Sequence, residues 1–374
     1  MRQKSILTLI LVTCLAFYQI KAQTNIAAQL GTISPNFSSY VDGYMKDLTA
    51  HQGFAFLNDL NSTGRVLGKW ELGFSLKTGT GLRSSEYGFT GFSDNFMLEG
   101  GVPTLFGTES PGKMTFRFLD EGTGLPLVNP MTGKDLGFGL PLLPGMGTSL
   151  GFSPALLPVF SLGVGYGTEV SVGVLPGAIR LATKGLVNDF SVKRDIIASF
   201  GVKHDVFQWI PWLNKHNFGF SVGAQYSLLN IGANIGSGLI GNLDIPSSDK
   251  FEVSNNLSGL EYRSSNFGFE ALLTKKFGFL DLSLFSSYNL THYRVYNDGS
   301  LDVKIAKTFY TTISDGFDLY QIKDMINVDR KVNQFLYGIA LQFNLGRFDL
   351  ALKAAPFSGQ NYYSVGLGYK IIKK

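Results

Sequence analysis

FLYGIALQFNL (335–345), FDLALKA (348–354) and YSVGLGYKI (363–371) follow one another with only short breaks between them. In the first, Phe335, Tyr337, Ile339, Leu341, Phe343 and Leu345 alternate with Leu336, Gly338, Ala340, Gln342 and Asn344. In the second, Phe348, Leu350, Leu352 and Ala354 alternate with Asp349, Ala351 and Lys353. The third sets Tyr363, Val365, Leu367, Tyr369 and Ile371 against Ser364, Gly366, Gly368 and Lys370. Successive side chains of a strand point to opposite faces, so each segment has one greasy face and one small or polar face. Three such strands folded back on each other predict the wall of a transmembrane antiparallel β-barrel. The pattern reads location far better than substrate.

Working outward from these strands, connections alternate between tight and long, as in barrels whose short turns face the periplasm and whose loops face outside. Gly346-Arg347 is tight, 293–334 long, 275–279 tight and 230–265 long, with a further long Gly/Pro-rich piece at 120–158. The strand 217–229 turns Phe218, Phe220, Val222, Ala224, Tyr226 and Leu228 outward, and pairs with 195–204. Their link, 205–216, is longer than a periplasmic turn and carries Trp209, Pro211 and Trp212, which suits interfacial aromatics. Tyr363 and Tyr369 are expected in the same role. Strands near 159–166 and 168–175 meet at Gly165-Tyr166-Gly167, and strands near 113–119, 87–98, 68–78 and 53–60 complete the wall. With the two strands that flank the 275–279 turn, that makes thirteen. Bacterial barrels usually carry an even number, so about fourteen strands are expected, with twelve the alternative.

The amino terminus fits export. Arg2 and Lys4 precede an apolar run from Ile6 to Phe17, and Ile20-Lys21-Ala22 ends on a small residue, giving a signal peptide over 1–22. Cys14, the only cysteine, falls inside the signal, in a poor context for lipid attachment, so the exported chain is expected to have no disulfide or thiolate metal site. Charged residues are only 16% of the chain, against about 25% in soluble domains. Of 32 basic residues, Arg2, Lys4 and Lys21 leave with the signal, so 29 face 28 acidic ones; a nucleic-acid partner is not expected.

Residues 23–50 have a different period. After Ser34-Pro35, Phe37, Tyr40, Val41, Tyr44, Met45 and Leu48 share one helical face. This amphipathic helix is expected to plug the lumen, where many inward residues are Gly, Ser or Ala, to lie on the periplasmic membrane face, or to dock against a partner; the barrel proper takes 51–374. By alternation the lumen is lined by Lys69, Glu71, Lys77, Glu169, Lys203, Gln225, Glu270, Asp281, Asp349 and Lys353. Neither sign dominates, which favours a salt-bridged filling over an ion-selective pore. In the 293–334 excursion, Phe317, Tyr320, Ile322, Ile326 and Val328 suggest a short helix over the mouth.

Catalysis is not expected. His51, His204, His216 and His292 lack metal-ligand spacing, and His204 beside Asp205 sits at a strand end. Gly107 to Met114 nearly spells a phosphate loop, but Met114 stands where a hydroxyl is required and no helix pattern follows. No cofactor is implied.

Tyr166-Gly167-Thr168-Glu169-Val170 running to Leu175-Pro176, then Gly201-Val202-Lys203-His204-Asp205 and Gln208-Trp209-Ile210-Pro211, resembles an uncharacterised family of exported barrels from Bacteroidota-type bacteria, from about Tyr40 onward. The resemblance implies an outer-membrane barrel and transfers no functional residue. In architecture, a helical segment ahead of many strands is similar to the long-chain fatty-acid transporter barrels. The chain departs from many barrels in ending Ile371-Ile372-Lys373-Lys374 rather than on an aromatic residue.

These features predict a Gram-negative outer-membrane protein in contact with lipid. Two functions remain open: passive transport of a small hydrophobic or amphiphilic molecule, or a structural barrel offering its long loops to a protein partner whose identity the sequence leaves unknown.

Overall fold

The computed structural model describes residues 26–57, 63–64, 66–82, 92–102, 112–120, 123–128, 133–142, 150–152, 157–176, 190–235, 251–307, 316–356 and 361–372. The signal peptide expected over 1–22 and the cleavage point near Gln23 lie outside these residues.

A helical stretch, 26–31, leads through Thr32 into helix α1 (Ile33–Leu57), whose first turn holds Ser34-Pro35, as the missing N–H of proline favours. The helix runs past residue 50, and the first wall strand, β1 (Leu72–Leu82), begins well beyond residue 51. Next come β2 (Phe96–Glu99), β3 (Lys113–Arg117), β4 (Gly137–Pro141) and β5 (Leu150–Phe152). The wall resumes with β6 (Leu157–Gly165), β7 (Thr168–Pro176) and β8 (Phe190–Asp205). A 3-10 turn (Val206–Trp209) and a short helix α2 (Pro211–Lys215) link β8 to β9 (Phe218–Ile235). Beyond β10 (Phe251–Asn255) lie the long strands β11 (Gly259–Phe277) and β12 (Leu280–Asp298). The chain ends with β13 (Ser300–Ala306), β14 (Phe317–Lys323), β15 (Asn327–Leu345), β16 (Phe348–Ala355) and β17 (Asn361–Ile372).

Hydrogen bonding orders the wall β17-β16-β15-β12-β11-β9-β8-β7-β6-β1, and β1 pairs back with β17 from Leu72↔Ile372 to Leu82↔Asn361. The barrel is therefore closed by ten antiparallel strands, not fourteen or twelve. Three segments expected in the wall are elsewhere: 53–57 is the end of α1, and 96–99 and 113–117 form a separate sheet with β4. A third small sheet joins β10, β13 and β14. The two three-stranded sheets make a cap at the long-loop end. The expected mouth helix is strand β14, because Asp318, Tyr320 and Ile322 turn inward with period two while Phe317 and Leu319 face out.

Sidedness is the reverse of a soluble protein. Outward Leu284, Phe335 and Leu367 are 57–59% exposed, whereas inward Lys203, Glu169 and Asn289 are 0–1% exposed. The apolar outward stretch covers 267–277 on β11, 280–290 on β12 and 335–345 on β15, eleven residues each. At ~3.4 Å per residue and ~45° tilt this is a band roughly 26 Å tall, the height of a barrel's lipid-facing belt. Among the described residues no helix is long and apolar enough to cross a membrane.

Candidate functional site

The lumen is the one enclosed space that all ten strands build, and helix α1 occupies its upper part. The helix touches β1, β9, β11, β12, β15 and β17, so wall surrounds it. Phe37, Tyr40, Val41, Tyr44 and Met45 are all buried, and their cluster continues without a break into Phe96, Met114, Phe116 and Phe138 of one cap sheet and Phe251, Val303 and Ile305 of the other. The side chain of Leu48 lies outside the described residues. Polar contacts fix the register of the helix: Ser34 Oγ donates to Asp324 O (2.6 Å), Asn327 N donates to Ser38 Oγ (2.9 Å), and Thr49 Oγ1 lies 3.2 Å from the Tyr262 hydroxyl. Asp42 accepts from the Tyr293 hydroxyl and from Arg330 Nε (3.3 Å). Above the helix, Gln29 ties the residues just outside β2 and β3, donating to Leu119 O and accepting from Leu119 N and Asn95 Nδ2, each at 2.8 Å.

Below the helix, the described residues 63–64 and 66–68 lie in the lumen as a plug segment that wall residues hold largely by its backbone. Lys203 Nζ on β8 donates to Thr63 O (2.9 Å), and Glu169 Oε2 on β7 accepts from Leu67 N (3.0 Å). Thr274 Oγ1 on β11 accepts from Gly64 N (2.5 Å), and Thr63 Oγ1 donates to Asp281 Oδ2 on β12 (3.3 Å). The plug then meets β6 directly: Trp70 N donates to Gly163 O (2.7 Å) and Gly163 N to Glu71 O (3.0 Å). Side chains would not fit at these contacts. A Cβ on Gly64 would lie 2.9 Å from Leu272 O, and one on Gly163 2.0 Å from Gly68 O.

The residues expected in the lumen separate into groups. Glu169, Lys203, Gln225, Glu270, Asp281 and Lys353 are buried inside, 1–3% exposed. Lys353 Nζ is bonded to Glu270 across the strands between them and sits 4.2 Å from the centroid of the Phe285 ring. Asp349 faces in and pairs with Lys370 at 3.4 Å. Lys69 does not line the lumen: it is exposed in the turn before β1, and Glu71 caps that turn by accepting from Gly68 N (2.8 Å). Glu71 keeps the inward parity counted from Leu72 and borders the lumen cavity, but that parity does not extend back to Lys69 because Trp70 is left-handed (φ 67°), which ends the alternation. Lys77 is in β1, with its side chain outside the described residues. A cavity of about 190 Å³ opens beside the plug at the short-turn end, bordered by Thr63, Glu71, Asp281, Gln342, Asp349 and Lys370.

At the short-turn rim, Trp209 and Trp212 are 66% exposed, with Ile210 and Tyr166 beside them in sequence and in the neighbouring turn. His204 anchors this group: Nδ1 lies 2.9 Å from Thr168 Oγ1, and Nε2 takes Trp209 Nε1 at 3.3 Å. That is the structural role of the His204-Asp205 pair, with Asp205 capping the 3-10 turn through Phe207 N (2.9 Å). Tyr363 and Tyr369 face outward on β17, half-buried, Tyr369 against Phe348. Among the described residues no group of His, Cys, Asp and Glu has metal-ligand geometry. The plug contacts of Thr63, Gly64, Gly163 and Thr274 have no signature in the sequence beyond the small size of inward residues.

Fold and lumen together define a class: an antiparallel β-barrel with an apolar outer belt, its bore stopped by its own amino-terminal segment. Over residues 1–371 the chain matches, and belongs to, a family of unknown function, DUF6588. No curated protein matches it. Among solved structures it is similar to the translocator domain of the autotransporter NalP from Neisseria meningitidis, at 10% identity and a TM-score of 0.31, over 88% of this chain and 99% of that one. A major outer membrane protein from Thermus thermophilus gives 10% identity and a TM-score of 0.20, over 80% and 99%. The toluene transporter TodX from P. putida gives 8% and 0.20, over 82% and 90%. Scores this low assign neither fold nor function; the barrel is read from its own strand pairing.

Proposed function

We propose that the chain is an outer-membrane barrel, shut at rest, that holds a folded cap at the cell surface as a platform for interaction. The observation that carries this is the continuity of plug and cap: one apolar cluster runs from Tyr44 and Met45 in the lumen to Phe116, Phe138 and Phe251 above it. A helix serving only as a stopper needs no such union with the loops. Here the lumen acts as a socket, and the cap is the part that meets a partner. The outer-membrane assignment rests on the apolar belt, the inverted sidedness and the short-turn and long-loop ends.

Passive transport of a small hydrophobic or amphiphilic molecule is the second reading. The cavity of about 190 Å³ at the short-turn mouth is on its side. Its lining of Glu71, Asp281, Asp349, Lys276 and Lys370 suits a polar solute better than a hydrophobic one. Purified barrel examined by native mass spectrometry and in planar bilayers separates the readings. The platform reading expects no co-purifying hydrophobic molecule and no steady conductance; a bound hydrophobic ligand, or a channel open without perturbation, overturns it in favour of transport.

A further inference from the structure

On the outer face of β11, β12 and β15 the apolar belt gives way abruptly to charge. Above Phe267, Leu290 and Phe335, the outward positions become Arg263, His292, Arg294, Asp329 and Lys331. Arg263 and Arg294 stand directly opposite each other in the β11–β12 register, and His292 stands opposite Lys331 between β12 and β15. Like charges facing across a strand pair are destabilising, so such an arrangement is costly unless an anion sits between them. Two carboxylates hold the arginines without exhausting them. Glu261 takes Arg263 through Nε (3.2 Å) and Nη2 (2.7 Å), and Asp329 takes both Arg294 through Nε (2.8 Å) and His292 through Nε2 (2.6 Å), while among the described residues the two guanidinium groups make no other hydrogen bond to a carboxylate. Lys331 makes no ion pair among the described residues. Arg263, Arg294, Tyr296 and Asp329 border a groove of about 330 Å³.

We propose that this patch binds the phosphate of an anionic lipid headgroup in the leaflet at the long-loop end, a proposal that rests on the membrane reading above. The vertical position fits. Arg263, Arg294 and Lys331 each lie four residues above the last belt residue of their strand, which at ~3.4 Å per residue and ~45° tilt is roughly 10 Å, within reach of a headgroup for side chains of this length. Forked guanidinium groups are suited to phosphate oxygens. The belt immediately below gives the acyl chains of the same molecule an apolar surface, which a free phosphate would not use.

The test places the full chain in nanodiscs of phosphatidylcholine, with or without bis-phosphorylated lipid A, after heat-modifiable gel migration has established insertion. By native mass spectrometry the wild type is expected to retain lipid A over phosphatidylcholine by about tenfold, and Arg263→Ala/Arg294→Ala/Lys331→Ala to lose that preference. In the wild type, phenylglyoxal labelling of Arg263 and Arg294 is expected to fall when lipid A is present, a readout that survives even if the triple variant does not fold. Equal retention by the triple variant, labelling that lipid A leaves unchanged, or the same protection by inorganic phosphate in phosphatidylcholine discs overturns the headgroup site while leaving the barrel reading intact. Failure to insert in either disc overturns the membrane reading itself.

Discussion

Gly163→Ala tests whether the plug is seated on the wall as described. The new Cβ would lie 2.0 Å from Gly68 O and 2.7 Å from Leu67 O, where ordinary contact begins at 3.4 Å. The plug backbone must then withdraw by about 1.4 Å, the difference between 3.4 and 2.0 Å, because β6 is paired with β1 on one side and β7 on the other. Overpacking of this kind costs ~1–3 kcal/mol. Withdrawal also threatens the bond from Leu67 N to Glu169, and losing that hydrogen bond to a buried carboxylate adds ~1–3 kcal/mol. The expected loss is therefore about 2–6 kcal/mol in urea unfolding of the detergent-folded barrel, together with intermittent conductance in planar bilayers from a barrel that is otherwise silent. Gly31→Ala is the control, since nothing lies within 4 Å of its added Cβ; it should be neutral or gain up to ~1 kcal/mol. If Gly163→Ala unfolds within ~0.5 kcal/mol of wild type and stays silent, the close approach of plug and wall is refuted, because surface-like substitutions are the ones that fall in that range.

Lys353→Met removes the cation facing Glu270, both side chains being 0–1% exposed, and should cost ~3–5 kcal/mol, most of it recovered by adding Glu270→Met. A double variant as unstable as the single one would show that the pair is not coupled. Glu169→Ala should speed hydrogen exchange at the Leu67 amide by at least about tenfold, corresponding to loss of a charge-assisted bond of ~1.5–3 kcal/mol; unchanged exchange would show that Glu169 does not hold that amide. All three tryptophans, Trp70, Trp209 and Trp212, lie at the short-turn end, 54–66% exposed, so lipids brominated near the headgroup should quench the fluorescence of the inserted barrel more than lipids brominated at the acyl ends. The opposite order would remove them from the interface.

The wall was legible because its cause is local. Period two in 335–345 or 217–229 states which side chains meet lipid whatever the distant partners are. The same locality explains the excess strands. Met114 and Phe116 alternate with Thr115 and Lys113 just as a wall strand would, but their buried face packs on the cap. Periodicity identifies a strand and says nothing of the sheet it joins. Lys69 falls outside the lumen because parity does not carry through one left-handed residue, Trp70, whereas Glu71 on the near side of it borders the cavity. The latch was illegible for a different reason: Lys203 and Thr63 are 140 residues apart, and Leu67 and Glu169 102, while the groups they engage are backbone atoms that every residue possesses. Inward glycines hinted at room for something in the bore, and their positions could not say which segment would press against them.

The two halves of the lumen are held by unlike forces, and this sets the order in which they would open. The upper half buries Ile33, Phe37, Tyr40, Val41, Tyr44 and Met45 against wall and cap. At ~1.5–3 kcal/mol per side chain that is roughly 9–18 kcal/mol, and it cannot be surrendered piecemeal because the cluster is continuous. Among the described residues the lower half buries Leu67 and is held by four hydrogen bonds to Lys203, Glu169, Thr274 and Asp281, together about 4–8 kcal/mol net at ~1–2 each. Residues 63–68 should therefore leave the bore before α1 does, so a barrel perturbed at the short-turn end loosens from below while its cap stays folded. Native-state hydrogen exchange checks the order residue by residue: the amides of Gly64 and Leu67 should exchange through a smaller opening free energy than those of Tyr44 and Met45. Were the helix amides to exchange first, or all four together, plug and helix would be a single cooperative unit, and the division of the lumen by type of force would have no mechanical consequence.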